Sequence, residues 1–265
     1  MSSIRLVAVD EDGTFLRDHK YYDKRRFARM FDRMEGAGVR FVVATGNQCY
    51  QVQSLFPDHA SRMGIVSASG AYVLDGNDEV FLAHASDETV AHMIAACHAD
   101  PSVPFAMLGV AGTYVERTTS QEFFDDMAQY STRIVWVDDF SEVDDKIFMF
   151  SSLVSKDRVA SEIERYRTVV GPLMDVTGAG GGYFDIVCPG VNKAAGLSHL
   201  LERYGIAPEE CIAFGDSDND LDMLRFVGHG YAMEEAPANV KAAADSVAPP
   251  CAEDGVLQVL EELFG

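Results

Sequence analysis

Three short apolar runs, each closing in small polar residues, constrain the fold more than any other feature of the chain. Ile4 to Val9 ends in Asp10-Glu11-Asp12-Gly13-Thr14. Val39 to Ala44 ends in Thr45-Gly46-Asn47, and Ile65 to Ala68 ends in Ser69-Gly70. Runs of this length, rich in β-branched residues, suit strands buried on both faces. Between the first two, Phe27, Met30, Phe31 and Met34 recur at i, i+3, i+4 and i+7, one apolar face of a helix that stops at Gly36 and Gly38. Strand, helix, strand with polar strand ends is the pattern of a parallel α/β sheet, where ligands meet the carboxyl ends of the strands.

The rhythm changes after about residue 83. A helix is expected from Ser86, with Val90, Met93, Ile94 and Cys97 on one face. Strands are expected at Phe105–Leu108, Thr113–Glu116, Ile134–Val137 and Ile147–Leu153. A further helix carries Val159, Ile163 and Tyr166, and leads to a glycine-rich loop at Gly178–Gly182 and a strand from Tyr183 to Val187. This stretch reads as a small α+β unit inserted into the first fold, so the expected division is 1–82 plus 189–265 for the parallel-sheet unit and 83–188 for the insertion. From Lys193 the first pattern resumes. Leu197, Leu200, Leu201 and Tyr204 form a helix face, Cys211 to Phe214 a buried strand, and Val256, Val259, Leu260 and Leu263 a last helix face.

Charge narrows the partners. The 21 basic residues are outnumbered by 42 acidic ones, a formal net charge of −21. Nucleic acid and anionic membrane both need a basic face, so neither is expected. The five cysteines (Cys49, Cys97, Cys188, Cys211 and Cys251) form no C-x-x-C pair and mostly sit in apolar runs, which suits buried free thiols in a reducing compartment. The first residues lack a secretory apolar segment, and no apolar stretch is long enough to span a bilayer, so a cytoplasmic location is expected.

Four polar sites stand at strand ends or helix starts. Asp10 and Asp12 are two residues apart across a turn, so one carboxylate can attack while the other handles a proton. Thr45-Gly46 offers a hydroxyl and backbone N–H groups to an anion. Lys193 can neutralise phosphate oxygens and orient a nucleophile. Gly215-Asp216-Ser217-Asp218-Asn219-Asp220 crowds three carboxylates and an amide into one loop, an arrangement that repels itself unless a cation is near. Each also has a bland reading on its own, as an acidic turn, a plain turn, a surface lysine or a polar loop. A calcium loop of the EF-hand type fails, because the twelfth position counted from Asp216 is Val227 and not glutamate. The order of acid pair, hydroxyl, lysine and acid cluster, brought together by one sheet, is what points to phosphoryl transfer.

These motifs give the chain its resemblance. Over essentially its whole length it resembles phosphatases of the haloacid dehalogenase superfamily, Cof type (class IIB), whose four motifs match Asp10–Thr14, Thr45–Gly46, Lys193 and Gly215–Asp220. Phe41 to Gln48, together with Asp12 to Leu16, is most similar to bacterial sugar phosphatases of that group, although Asn47 stands where most members carry arginine. The resemblance implies a Rossmann-like α/β core with parallel sheet and an inserted α/β cap of type C2. It implies Mg2+ as cofactor and a small phosphorylated metabolite, a sugar phosphate in kind, as substrate. By the same resemblance Asp10 is the nucleophile and Asp12 the acid and base, with its backbone carbonyl on the metal. Asp10 and Asp216 supply side-chain metal ligands, with Asp220 supporting them. Thr45, Gly46, Lys193 and Asn219 hold the phosphate, and the cap closes over the leaving group.

One stretch departs from the family pattern. Ala232-Met233-Glu234-Glu235-Ala236 places two carboxylates where members read a glycine and an amide. Two rivals remain open from sequence. A phosphotransferase or phosphomutase on the same fold would use the same Asp10. A phosphoryl-accepting signalling receiver would also use acids, a hydroxyl and a lysine on a parallel sheet, though in another order and without so large an insertion.

Overall fold

A computed structural model of the protein describes residues 4–265. In chain order the first unit begins with β1 (Leu6–Val9), α1 (Lys24–Gly36), β2 (Arg40–Ala44), α2 (Cys49–Leu55), β3 (Gly64–Ser67), β4 (Tyr72–Asp75) and β5 (Asp78–Leu82). The second unit carries α3 (Asp87–Ala99), β6 (Phe105–Gly109), β7 (Thr113–Glu116), α4 (Gln121–Ala128), β8 (Ile134–Val137), β9 (Ile147–Leu153), α5 (Val159–Val170), β10 (Asp175–Gly180) and β11 (Tyr183–Val187). The chain then returns through α6 (Lys193–Tyr204), β12 (Cys211–Gly215), α7 (Leu221–Phe226), β13 (His229–Met233), α8 (Ala238–Ala243), β14 (Ser246–Ala248) and α9 (Gly255–Phe264).

By their contacts the described residues divide into two compact units. One holds the chain up to Thr45, Val52–Phe81 and Asn192–Gly265, and the other holds Gly46–Gln51 and Leu82–Val191. The first is built on a sheet in the order β14-β13-β12-β1-β2-β3-β4-β5. The six strands from β14 to β3 run parallel, and β4 pairs antiparallel with β3. Alternation along β1 shows why both faces must be covered. Leu6 and Ala8 pack with Leu197, Leu200 and Leu201 of α6 and with Met223 and Leu224 of α7. On β2, Phe41 meets the rings of Phe15, Phe27 and Phe31, with centroids 5.1–6.1 Å apart, so α1 lays its apolar stripe on that strand. All four residues of the stripe, Phe27, Met30, Phe31 and Met34, are buried.

Asp23 caps α1 by accepting from the N–H groups of Arg25 and Arg26, and Gly38 closes its end at φ +75°. In α9, Val256, Val259 and Leu260 are buried, but Leu263 is 38% exposed. The expected face therefore ends one turn early.

The second unit is a sheet in the order β10-β11-β9-β6-β7-β8. Its pairs are antiparallel except β7 with β8. Met93 and Cys97 of α3 and Tyr166 and Val170 of α5 pack onto Phe105, Met107, Phe150, Phe184 and Ile186. Ser86 caps α3 through the Thr89 N–H. The segment expected as a glycine-rich loop is in its first half a strand. Gly178 pairs with Phe184 and Gly180 with Tyr183 across an irregular step, leaving Gly181 and Gly182 to make the turn. Backbone pairing needs no side chain, so the glycines did not stop the ladder.

Among the described residues the five cysteines are buried free thiols, and no helix is long and apolar enough to cross a membrane.

Candidate active site

The first unit places its polar strand ends side by side. Val9 pairs with Phe214 on one side and Val43 on the other, so Asp10, Gly215-Asp216 and Thr45 all emerge from the same edge of the sheet. The chain leaves β1 toward β2, while β12 lies on β1's other flank. This is a topological switch point, where a crevice opens at the carboxyl ends of parallel strands. Asp10 is anchored there by its own N–H, which donates to Phe214 O at 3.0 Å.

Lys193 is the centre of the polar cluster. It is the first residue of α6, whose cap Asn192 accepts from the Ala195 N–H at 2.8 Å. Its side chain is 1% exposed, and Nζ donates to Asp10 Oδ1 and to Asp220 Oδ1, each at 2.6 Å, and to Asn219 Oδ1 at 3.3 Å. Asp220 is wholly buried and also accepts from the N–H groups of Asp216 (3.0 Å) and Ser217 (3.1 Å). It thus folds the acidic loop around the lysine. Asp216 accepts from Thr14 Oγ1 at 3.1 Å.

Two glycines make this crowding possible. Gly13 sits at φ +81°, and a Cβ there would lie 2.6 Å from Asp216 Oδ2; a Cβ on Gly215 would lie 2.5 Å from Asp220 Cβ.

Three carboxylates therefore share a buried volume with one ammonium. Oxygens of Asp10, Asp216 and Asp220 lie within 4.8 Å of one another. Burial raises Asp10 well above the usual carboxylate range; Lys193 opposes this, and Asp220 and Asp216 add to it. Asp216 is raised by burial and by Asp220, against the Thr14 hydrogen bond. Burial works against the charge of Lys193 too, but Asp10 and Asp220 outweigh it and hold the ammonium above its ordinary value. The donor set is all oxygen, and its excess negative charge matches a divalent cation.

Of the residues singled out from sequence, hydrogen bonds join Asp10, Lys193, Asn219 and Asp220 directly, with the Asp216 N–H tied in through the Asp220 carboxylate. Thr45 is 2% exposed at the adjoining strand end, where its N–H donates to Val66 O at 2.8 Å. Gly46 groups with the second unit. Asp12 is exposed, and both of its carboxylate oxygens are engaged by the Lys20 ammonium. Two participants escaped the sequence reading. Thr14 lies inside the quoted motif but was read only as part of the turn. Lys20 carries no signal of spacing at all. Glu235, one of the two unusual carboxylates, is employed locally, accepting from the Cys251 N–H at 2.9 Å, while Glu234 is exposed.

This arrangement can hold a divalent cation against buried carboxylates and hold one of them, Asp10, facing a neighbouring ammonium. The family described as haloacid dehalogenase-like hydrolase matches residues 7–260. The chain is 34% identical to the 5-amino-6-(5-phospho-D-ribitylamino)uracil phosphatase YbjI of Escherichia coli over 99% of its own length and 97% of the relative's. It is 27% identical to the phosphatase of the same name, YitU, from Bacillus subtilis, over 98% and 97%. Among solved structures, SMU.1108c from Streptococcus mutans superposes with a TM-score of 0.92 at 30% identity, covering 98% of each chain. The chain belongs to the haloacid dehalogenase-like hydrolases. Within that family it is a phosphatase acting on phosphorylated small molecules, which sets the signalling-receiver alternative aside.

Proposed function

We propose that the protein hydrolyses phosphate monoesters of sugars or sugar-like polyols through a phosphoryl-aspartate formed on Asp10, with magnesium as cofactor. The observation that carries this is the buried Asp10, bonded at 2.6 Å to a lysine that is itself 1% exposed, beside Asp216 and Asp220 at the switch point of the sheet. A carboxylate so held cannot rotate away from its target, and positioning is the larger part of what phosphoryl transfer needs from a protein.

An Asp10 oxygen forms a bond to phosphorus while the ester P–O bond breaks. The electron pair of that bond stays on the leaving oxygen, which takes a proton from Asp12. In the second half, Asp12 removes a proton from water, whose oxygen bonds to phosphorus as the Asp10–phosphorus bond breaks, freeing inorganic phosphate and restoring both carboxyl groups. Lys193, Asn219, Thr45 and the Gly46 backbone hold the phosphoryl oxygens. Asp10, Asp216 and the main-chain carbonyl of Asp12 hold magnesium, with Asp220 in support, and the bound ion supplies charge neutralisation between the attacking carboxylate and the phosphate. Residues 83–188 act as the cap unit and 1–82 with 189–265 as the catalytic unit. The substrate class is supported by the relatives, three of which are named for a phosphate ester on a ribityl chain.

The test is release of inorganic phosphate from a panel of sugar, polyol, nucleotide and amino-acid monophosphates, with magnesium and with EDTA. Continuous release from the sugar and polyol esters, stopped by EDTA and restored by magnesium, is expected. Metal-independent release, or transfer of the phosphoryl group to an added alcohol without free phosphate, would contradict the proposal.

A further inference from the structure

The second unit carries a group of metal-ligating side chains that the proposed reaction does not use. His98 lies in the last turn of α3, Glu116 ends β7, and Asp139 follows shortly after β8. Glu116 pairs with Val137 across the two parallel strands, so the chain leaving β8 passes the end of β7. One ligand atom from each residue, an imidazole nitrogen and two carboxylate oxygens, lies within 4.8 Å of the others. Two of the three are braced by the backbone. Glu116 Oε1 accepts from the Phe140 N–H at 2.8 Å, and Asp139 Oδ1 accepts from the Ser141 N–H at 2.8 Å. His98 Nε2 meets the same Glu116 oxygen at 2.8 Å.

What the group lacks is a permanent positive charge. Glu116 is 8% exposed, and its Oε2 accepts no hydrogen bond among the described residues. Among those residues, neither Glu116 nor Asp139 has a lysine or arginine within ion-pair distance. Arg117, next in the chain to Glu116, donates instead to Asp138, Nε to Oδ1 at 3.0 Å. Buried charges are ordinarily paired or bound to a metal. The partner here is an imidazole, which is charged only when protonated, and one proton does not match two carboxylates.

We propose that His98, Glu116 and Asp139 bind a zinc ion, with water completing its coordination. One nitrogen and two oxygens in a four-coordinate shell suit zinc, whereas magnesium prefers an octahedron of oxygens. Zinc–ligand bonds of about 2.0–2.2 Å place tetrahedral ligands about 3.3–3.6 Å apart. The 2.8 Å contact between His98 and Glu116 therefore opens by less than about 1 Å, and the 4.8 Å limit closes by little more, which side-chain rotation supplies. The His98 side chain is 42% exposed, so the ion has a path from solvent. A cation held by His98 also lies at the carboxyl-terminal end of α3, where positive charge is favoured. The ion ties the end of α3 to the ends of β7 and β8, and it does not depend on how Asp10 reacts.

The experiment is equilibrium dialysis against zinc, with magnesium in large excess, at about pH 8 because zinc needs the neutral imidazole. Bound zinc is counted by elemental mass spectrometry. In the Asp10→Asn/Asp216→Asn chain, which lacks two ligands of the other carboxylate group, one zinc per chain is expected to remain. His98→Gln in that background keeps an N–H donor for Glu116 but removes the imidazole, and Asp139→Asn keeps an acceptor for the Ser141 N–H. Loss of a group that merely orients a ligand weakens metal binding about 10–100-fold, so loss of a ligand is expected to raise the zinc Kd at least about tenfold in each. Should the background chain fail to fold, the same two substitutions are read in the unaltered protein, where each is expected to remove one equivalent of zinc. Absence of bound zinc at high-micromolar concentration, or an affinity unchanged by either substitution, overturns the proposal.

Discussion

Replacing Lys193 with methionine tests the electrostatic logic of the site without changing its carboxylates. The methionine chain fills most of the volume of a side chain that is 1% exposed, so packing changes little. What disappears is the ammonium that Asp10 and Asp220 each meet at 2.6 Å. Removing one partner of a buried ion pair costs about 3–5 kcal/mol, because the charge left behind is uncompensated. Here the remainder is three carboxylates in one volume, two of which, Asp10 and Asp216, are already raised by burial and by Asp220. In EDTA the variant is therefore expected to lose about 3–5 kcal/mol, seen as a fall of about 6–20 °C in Tm. A divalent cation can replace part of the missing positive charge, and ligand linkage makes its effect grow with concentration. The gap between variant and parent should accordingly narrow as magnesium is titrated into a thermal melt, while phosphatase activity stays lost. A variant within 1 kcal/mol of the parent in EDTA, or a gap indifferent to magnesium, would refute this account of the charge balance.

Two further substitutions probe separate parts of the molecule. Asp185 is buried on β11, accepts from Ser151 Oγ at 2.7 Å, and is raised by burial from 3.8 to about 6. The folded protein thus keeps a proton that the unfolded chain releases at lower pH, so the associated stability is full below about 3.8 and is lost as pH rises through about 6. Chemical denaturation of Asp185→Asn is expected to abolish that loss, shifting the difference from the parent by up to about 3 kcal/mol between pH 3.5 and pH 7.5; parallel pH profiles would show the expectation wrong. Thr14→Val removes the hydrogen bond to Asp216 and should raise the magnesium concentration for half-maximal activity about tenfold, by analogy with other groups that orient metal ligands. An unchanged magnesium titration would exclude that role for Thr14.

The sequence was most informative where burial leaves few choices. Val7 and Val9 on β1 and the Phe27-Met30-Phe31-Met34 stripe of α1 are buried, and periodicity alone identifies such elements. Elements whose residues mix polar, glycine and small apolar side chains gave no clear period. Strands Tyr72–Asp75 and Asp78–Leu82 are short, lie around Gly76 and carry aspartates, and His229–Met233 contains Gly230 in mid-strand. Their partners in the sheet decide their conformation, which is a tertiary effect. The site was visible as four motifs because strand ends of a parallel sheet converge whatever lies between them. Lys20 was invisible for the opposite reason. It reaches Asp12 only through a left-handed turn at His19 and Lys20, which contains no glycine to announce it.

The claim on which everything else depends is that phosphorus becomes covalently attached to Asp10. Mixing the enzyme with a ³²P-labelled sugar monophosphate and magnesium, quenching in acid within the first turnover, and mapping the label by peptide mass spectrometry measures it directly. Label on the peptide bearing Asp10, labile to hydroxylamine and missing in Asp10→Asn together with phosphate release, is the expected result. Label on another residue, or full turnover by Asp10→Asn, would contradict the mechanism at its first step.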